Sequence, residues 1–312
     1  MACEDIKDSL ISHKATALAN SPGAGEAECQ PAARVTRRGF LRGVAGVLGV
    51  GVGVGLYSWR WETHWLEVVD RPLPVANLPG RLNGARLVQM SDLHIGPMVD
   101  DDYLLRTFKR VQDLAPEIVV YTGDITTYSR DLFSHAGRMF PHLPLGSQAT
   151  LGVLGNHDYG PFGTRPEVAD RIAAMAGAAG VRILRNEVAE VAGLQVLGCD
   201  ELWARRFQPG RAVARLQPHR AALALSHNPD TADKPVWGQY AGWILAGHTH
   251  GGQCKPPFLP PPLLPVRNRR YTAGEFALDG GRRMYINRGI GHTLPVRFNV
   301  RPEVTVFHLE TA

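Results

Sequence analysis

Arg86-Leu87-Val88-Gln89-Met90-Ser91-Asp92-Leu93-His94 decides how the rest of the chain reads. Its first five residues form a largely apolar run of strand length, and it ends on two side chains that bind metals well. The same order returns four times. Ile118–Thr122 runs into Gly123-Asp124, and Thr150–Leu154 into Gly155-Asn156-His157-Asp158. Ala222–Leu225 leads to His227, and Trp243–Ala246 to Gly247-His248-Thr249-His250. Helical patterns alternate with these runs: Asp102–Leu114 is amphipathic and closed by Pro116, and Glu167–Ala179 is opened by Pro166. Further strands are expected at Val181–Leu184, Gln195–Leu197, Arg283–Ile286 and Thr305–His308. The alternation predicts an α/β sandwich. Loops leaving the carboxyl ends of neighbouring strands share one crevice in such folds, so distant motifs can meet there.

The residue types in those loops point to two adjacent divalent cations. A spacing of two places Asp92 and His94 on one side of an extended strand end. Gly123 allows a tight turn, and the two oxygens of Asp124 can bridge two cations. Asn156 offers a neutral carbonyl oxygen. His248 and His250 alternate around Thr249, and Gly247, Gly251 and Gly252 allow close backbone approach. His227 completes a set of seven ligands. Imidazole, carboxylate and amide suit Mn, Fe or Zn without choosing among them. His157 is left free to stabilise transition-state charge or protonate a leaving oxygen, with Asp158 placed to orient its ring. A two-metal centre without thiolates fits in-line attack of a metal-bound hydroxide on phosphorus.

Bulk composition agrees with a globular enzyme. The chain has 312 residues, 44% of them hydrophobic and 20% charged, enough for one large domain with an ample core. Its net charge of +5 is mild and spread out, which gives no indication of nucleic-acid binding. The four cysteines form no CxxC pair; Cys3 and Cys29 fall in the leader, and Cys199 and Cys254 read as free thiols. Six of the 23 prolines lie in Lys255–Pro265, a stiff loop directly after the last motif and able to line the site. Arg267, Arg269 and Arg270 follow it, to meet a substrate phosphate or to lie in a solvated turn.

The first 60 residues read differently, and the domain is expected to occupy 61–312. Residues 1–33 are polar, rich in Ala and Gly, and expected to be disordered. Arg37-Arg38-Gly39-Phe40-Leu41 and the apolar run Gly43–Leu56 resemble a twin-arginine export signal. That implies contact with the export machinery and a periplasmic or cell-envelope location. The apolar run is shorter than the roughly 20 residues that span a bilayer as a helix. No A-x-A site follows it. The segment can therefore remain as an anchor, with Trp59, Trp61 and Trp65 at the interface.

The motif series resembles the calcineurin-like metallophosphoesterases. Flanking words such as Asn287-Arg288-Gly289 and Pro295-Val296-Arg297 are similar to an exported bacterial branch of that superfamily. The resemblance implies a four-layer α-β-β-α sandwich with two mixed sheets and a dinuclear site at strand ends. One metal would take Asp92, His94, Asp124 and His250, and the other Asp124, Asn156, His227 and His248. His157 matches the catalytic histidine, and Arg288 and Arg267 are the expected substrate contacts. Protein phosphatases of the superfamily continue the Gly-Asp block with an Asp-Arg that grips phosphate. Here the block runs Gly123-Asp124-Ile125-Thr126-Thr127-Tyr128 and the Arg is absent, favouring a phosphodiester or another small or lipid-linked substrate. The alternatives are a pyrophosphatase acting on UDP-2,3-diacylglucosamine and a non-catalytic metal-binding scaffold.

Overall fold

The structure is a computed structural model that describes residues 36–312. Cys3, Cys29, His13 and the expectation of disorder over residues 1–33 lie outside the described residues. Contacts divide the chain after Gly49, and Val50–Ala312 forms one compact unit. A first helix, α1 (Arg37–Leu56), has no buried residue. The helical stretch reaches His64, 28 residues with a mean hydropathy of 1.6 in its apolar window. It is longer than the apolar run alone suggested, because the polar ends Arg37–Arg42 and Tyr57–His64 are helical too. By length and composition it could cross a membrane, a test that a signal sequence also passes.

After it come β1 (Glu67–Val75), β2 (Arg86–Met90), α2 (Asp101–Asp113), β3 (Ile118–Thr122), α3 (Leu132–Met139), β4 (Ala149–Val153), α4 (Pro166–Ala178) and β5 (Arg182–Ile183). The second half holds β6 (Glu187–Val191), β7 (Leu194–Gly198), α5 (Gly210–Val213), β8 (Ala222–Leu225), β9 (Trp243–Ala246), β10 (Gly274–Ala277), β11 (Arg283–Ile286) and β12 (Glu303–Thr311). They make two six-stranded mixed sheets, ordered β1-β12-β2-β3-β4-β5 and β10-β11-β9-β8-β7-β6. Period-two patterning assigns each strand's faces. In β3, Ile118 and Val120 join the core that also holds Val196, Leu223 and Leu245 of the second sheet. Val119 and Tyr121 point the other way, to Phe108 of α2 and Ile172 of α4. The outer face of the second sheet is covered more thinly, by Ala212 of α5 and by Trp237 and Tyr240.

The central strands lie where the apolar runs place them. The three strands that periodicity missed, β1, β6 and β10, are all edges. Edges need only one partner and tolerate polar residues and proline. Hence Pro72 and Pro74 sit in β1, and β10 has no fully buried position. α3 is short and was also missed. Beneath the strand ends, fully buried Gln89 donates to Thr122 Oγ1 at 3.0 Å and across the sandwich to Ala246 O at 2.9 Å. Those bonds fix the two sheets' relative height where the polar loops emerge.

Candidate metal centre

The loops after β2, β3, β8 and β9 bring Asp92, His94, Asp124, His227, His248 and His250 together in a buried cluster. Three groups have ligand atoms within 4.8 Å of one another: Asp92, His94 and His250; His94, Asp124 and His157; and Asp124, His227 and His248. Asp124 belongs to two of them. Its Oδ2 lies 3.2 Å from His227 Nε2 and 3.8 Å from His94 Nε2. Asp92 Oδ1 lies 3.3 Å from His250 Nε2.

The backbone is strained to achieve this. Asp92, His94, Asp124, His248 and His250 all have φ between 48° and 72°, a region costly for side chains other than glycine and concentrated at functional sites. Gly123, at φ 91°, turns the chain where a Cβ would stand 2.6 Å from His227 Nδ1. At Gly247 a Cβ would stand 2.4 Å from Asp92 Oδ2.

Each imidazole is aimed by its outward nitrogen. His94 Nδ1 meets Thr127 Oγ1 at 2.7 Å, and His227 Nδ1 meets Thr122 O at 2.8 Å. His248 uses Nε2 on Pro265 O at 2.8 Å and so presents Nδ1 inward. A partner on the far nitrogen is how ligating histidines are oriented. The inward nitrogens crowd together: His94 and His250 Nε2 are 3.0 Å apart, and His248 Nδ1 is 3.1 Å from His227 Nε2. Asp92 is steadied by Ser91 Oγ at 2.5 Å and by the His248 N–H at 3.0 and 3.1 Å.

Burial lowers His94 and His248 to about 3 and holds His250 well below the ordinary imidazole range. These rings are neutral and free to ligate. Burial also opposes charge on His227, but Asp124, Asp92 and Glu201 outweigh it and push that ring up to about 10. Burial alone would raise Asp124; His227, His157 and His94 instead keep it well below the usual carboxylate range. Burial raises Asp92 to about 6, with Asp124 adding to the effect. Two carboxylates and several inward lone pairs at such spacing call for cationic charge.

Asn156 supplies a further observation. Its Oδ1 is buried without a hydrogen-bond partner, an arrangement that costs about 1–3 kcal/mol unless something else binds it. This donor set of buried carboxylates, oriented imidazoles and an unpartnered amide oxygen fits two divalent cations. His157 heads the turn after Asn156. Its N–H donates to Asp124 Oδ1 at 2.8 Å, and its ring meets His94 edge-on at 4.9 Å.

Three expected roles are corrected. The Asp158 carboxylate does not orient His157. It accepts from Gly155 N at 2.9 Å, Ile125 N at 3.2 Å, Thr126 N at 2.8 Å and Thr126 Oγ1 at 2.9 Å, binding the Asp124 loop to the Asn156 loop. Arg288 is engaged by Glu303 and, at 2.9 Å, by Glu67, so its guanidinium is already neutralised by two carboxylates. Arg267 is exposed, and neither arginine lines the cavity over the cluster. Thr126 and Thr127, which follow Asp124 closely, hold Asp158 and His94.

That cavity, of about 560 Å³, is bordered by Asn156, His157, Trp203, the loop residues Leu263 and Leu264, and Leu294 and Val296. The proline loop lines it as its position suggested. Trp203, which packs edge-on against His248 at 4.5 Å, had no local signal. Arg297, quoted in a flanking word but given no role there, is a fully buried guanidinium whose Nη2 lies 3.3 Å from His250 Nδ1 and donates to Gly291 O at 2.6 Å. Cys199 and Cys254 are free.

The profile of the calcineurin-like phosphoesterases matches residues 85–252. The chain is 31% identical over 297 residues to the metallophosphoesterase YkuE of Bacillus subtilis, covering 89% of this chain and 99% of that one. It is 31% identical over 285 residues to the phosphodiesterase YaeI of Escherichia coli (88% and 99%). With the UDP-2,3-diacylglucosamine pyrophosphatase LpxG of Chlamydia trachomatis it shares 25% over 320 residues (84% and 96%).

Proposed function

The chain belongs to the calcineurin-like phosphoesterase family and is a metal-dependent phosphoester hydrolase, and from that premise we propose that it is a phosphodiesterase whose two divalent ions are held by seven named side chains. Asp92, His94, Asp124 and His250 would hold one ion, and Asp124, Asn156, His227 and His248 the other. The observation carrying this reading is Asn156 Oδ1, buried without a partner beside inward-facing imidazoles. The ion pair, when bound, supplies Lewis-acid neutralisation of phosphoryl charge and a water acidic enough for in-line displacement at phosphorus. Mn, Fe and Zn all suit the donors.

The protein's own groups do the rest. Asp124 spans both halves and accepts the His157 N–H, so the histidine's place is tied to the cluster. His157 borders the cavity and is set to stabilise developing charge or give a proton to the leaving oxygen. Leu263, Leu264, Leu294 and Val296 give the cavity an apolar lining suited to an organic group esterified to the phosphate. The absent Asp-Arg pair and the likeness to YaeI support a diester; the likeness to LpxG supports a lipid pyrophosphate as the second reading. Hydrolysis of an aryl diester, an aryl monoester and UDP-2,3-diacylglucosamine by one metal-loaded sample decides among them. A preference for the diester that EDTA abolishes is expected; a preference for either other substrate overturns it.

For location, we propose twin-arginine export followed by anchoring through the N-terminal helix. Arg37-Arg38 before Phe40-Leu41 supports the first. Anchoring is supported by the way Ser58–Trp65 is built into the domain: Glu62 and Thr63 are buried, and Ser58 O accepts from Arg297 N at 3.0 Å. Cleavage between Leu56 and Glu62 would free a segment that packs there.

A further inference from the structure

Leu263 and Leu294, which line the cavity, are 74% and 57% exposed. In the same loop as Leu263, Phe258 is fully exposed and Leu259 59%. Single exposed apolar residues need no explanation, but several in a loop that borders a site do. Pro256, Pro257 and Pro260–Pro262 stiffen the loop so that its side chains cannot fold back. With so few N–H groups, the loop is also a poor edge for strand pairing with another protein.

Charge narrows the occupant. Residues 255–270 contain Lys255, Arg267, Arg269 and Arg270 and no acidic residue. Arg269 Nη2 donates to Pro261 O at 3.1 Å, which keeps this cationic segment against the apolar tip. The lining residues Leu294 and Val296 lead into a third feature. From Leu294 and Val296 the chain runs to Arg297, whose N–H bonds Ser58 O, and to Arg301, which lies over Trp65 at 4.3 Å and bonds its carbonyl at 3.2 Å. Trp59, Trp61 and Trp65 are each about half or more exposed. Indoles, a basic fringe and protruding Phe and Leu are the side chains that settle at a bilayer interface.

We propose that the mouth of the metal site docks on an anionic lipid leaflet, with Phe258 and Leu259 inserted among the acyl chains and Lys255, Arg267 and Arg270 at the headgroups. It rests on the phosphohydrolase reading only in taking this cavity as the place of reaction. Each basic side chain at an anionic surface strengthens attachment about fivefold.

The test uses the full chain in vesicles of phosphatidylcholine, with or without phosphatidylglycerol. Fluorotryptophan labelling of Phe258→Trp adds one ¹⁹F resonance absent from the wild type, so other indoles and the N-terminal helix do not confuse it. A lipid carrying a spin label on its acyl chain should broaden that resonance several-fold more in the anionic vesicles than in the neutral ones. Phe258→Ser/Leu259→Ser should lower protection of the loop from amide exchange on vesicles while hydrolysis of a soluble aryl diester stays unchanged. No lipid-dependent broadening overturns the proposal, as does protection from solvent without any lipid effect, which would mean a protein or a second copy covers the rim. Loss of soluble diester hydrolysis in the wild type would instead overturn the enzyme reading and leave the docking result standing.

Discussion

Asp158→Asn separates two roles for a carboxylate that stands next to the candidate catalytic histidine. Its two oxygens accept four hydrogen bonds, three from backbone N–H groups and one from Thr126 Oγ1. An asparagine keeps one carbonyl oxygen, which can still serve Thr126. Its amide then faces the Ile125 and Gly155 donors, leaving two buried N–H groups unbonded. At about 1–3 kcal/mol for each, the loss is roughly 2–6 kcal/mol, a large part of the 5–15 kcal/mol that stabilises an ordinary domain. Urea unfolding read by circular dichroism should show the midpoint falling with an unchanged slope. The fraction that remains folded and metal-loaded should turn over within a few-fold of wild type. If instead the midpoint holds and turnover collapses, Asp158 works through His157 and the account of the two tied loops is wrong.

Replacing His157 by Ala should lower turnover by roughly 10² to 10⁴ with metal content intact; because His157 also comes within reach of His94 and Asp124, loss of metal would make it a ligand. Asp124→Asn should do the opposite and deplete metal, as read by plasma mass spectrometry. The buried His292 is lowered to about 4, chiefly by burial, while its unfolded value is 6.5. The unfolded chain therefore takes up a proton first, and stability present above pH 6.5 is lost as pH falls toward 4. At 1.36 kcal/mol per unit that is roughly 3 kcal/mol. The metal-free His292→Asn variant should lose less stability than wild type over that interval, and parallel curves would contradict the assignment.

Much of the site was legible because metal chemistry restricts residue type and strand ends restrict place. Asp92, Asp124, Asn156 and the histidines are short polar words after apolar runs, and period-two patterning buried those runs as expected. The support around them was less legible. Asp158 looked like a partner for His157 because it is adjacent in sequence, yet its bonds reach back across the fold to Ile125 and Thr126. Arg288 stands in a polar word that suggests a substrate contact, yet Glu303, on the last strand, holds it. Arg297 and Trp203 reach the centre through loops whose course no local pattern encodes. The edge strands β1, β6 and β10 were hidden for a related reason: what pairs with them lies far away in sequence.

The most direct test of the two-ion centre is anomalous X-ray scattering from a crystal of the full chain grown with Mn²⁺. Two peaks per chain are predicted, one against Asp92, His94 and His250 and one against Asn156, His227 and His248, with Asp124 between them. A single peak, or peaks away from these side chains, would contradict the account.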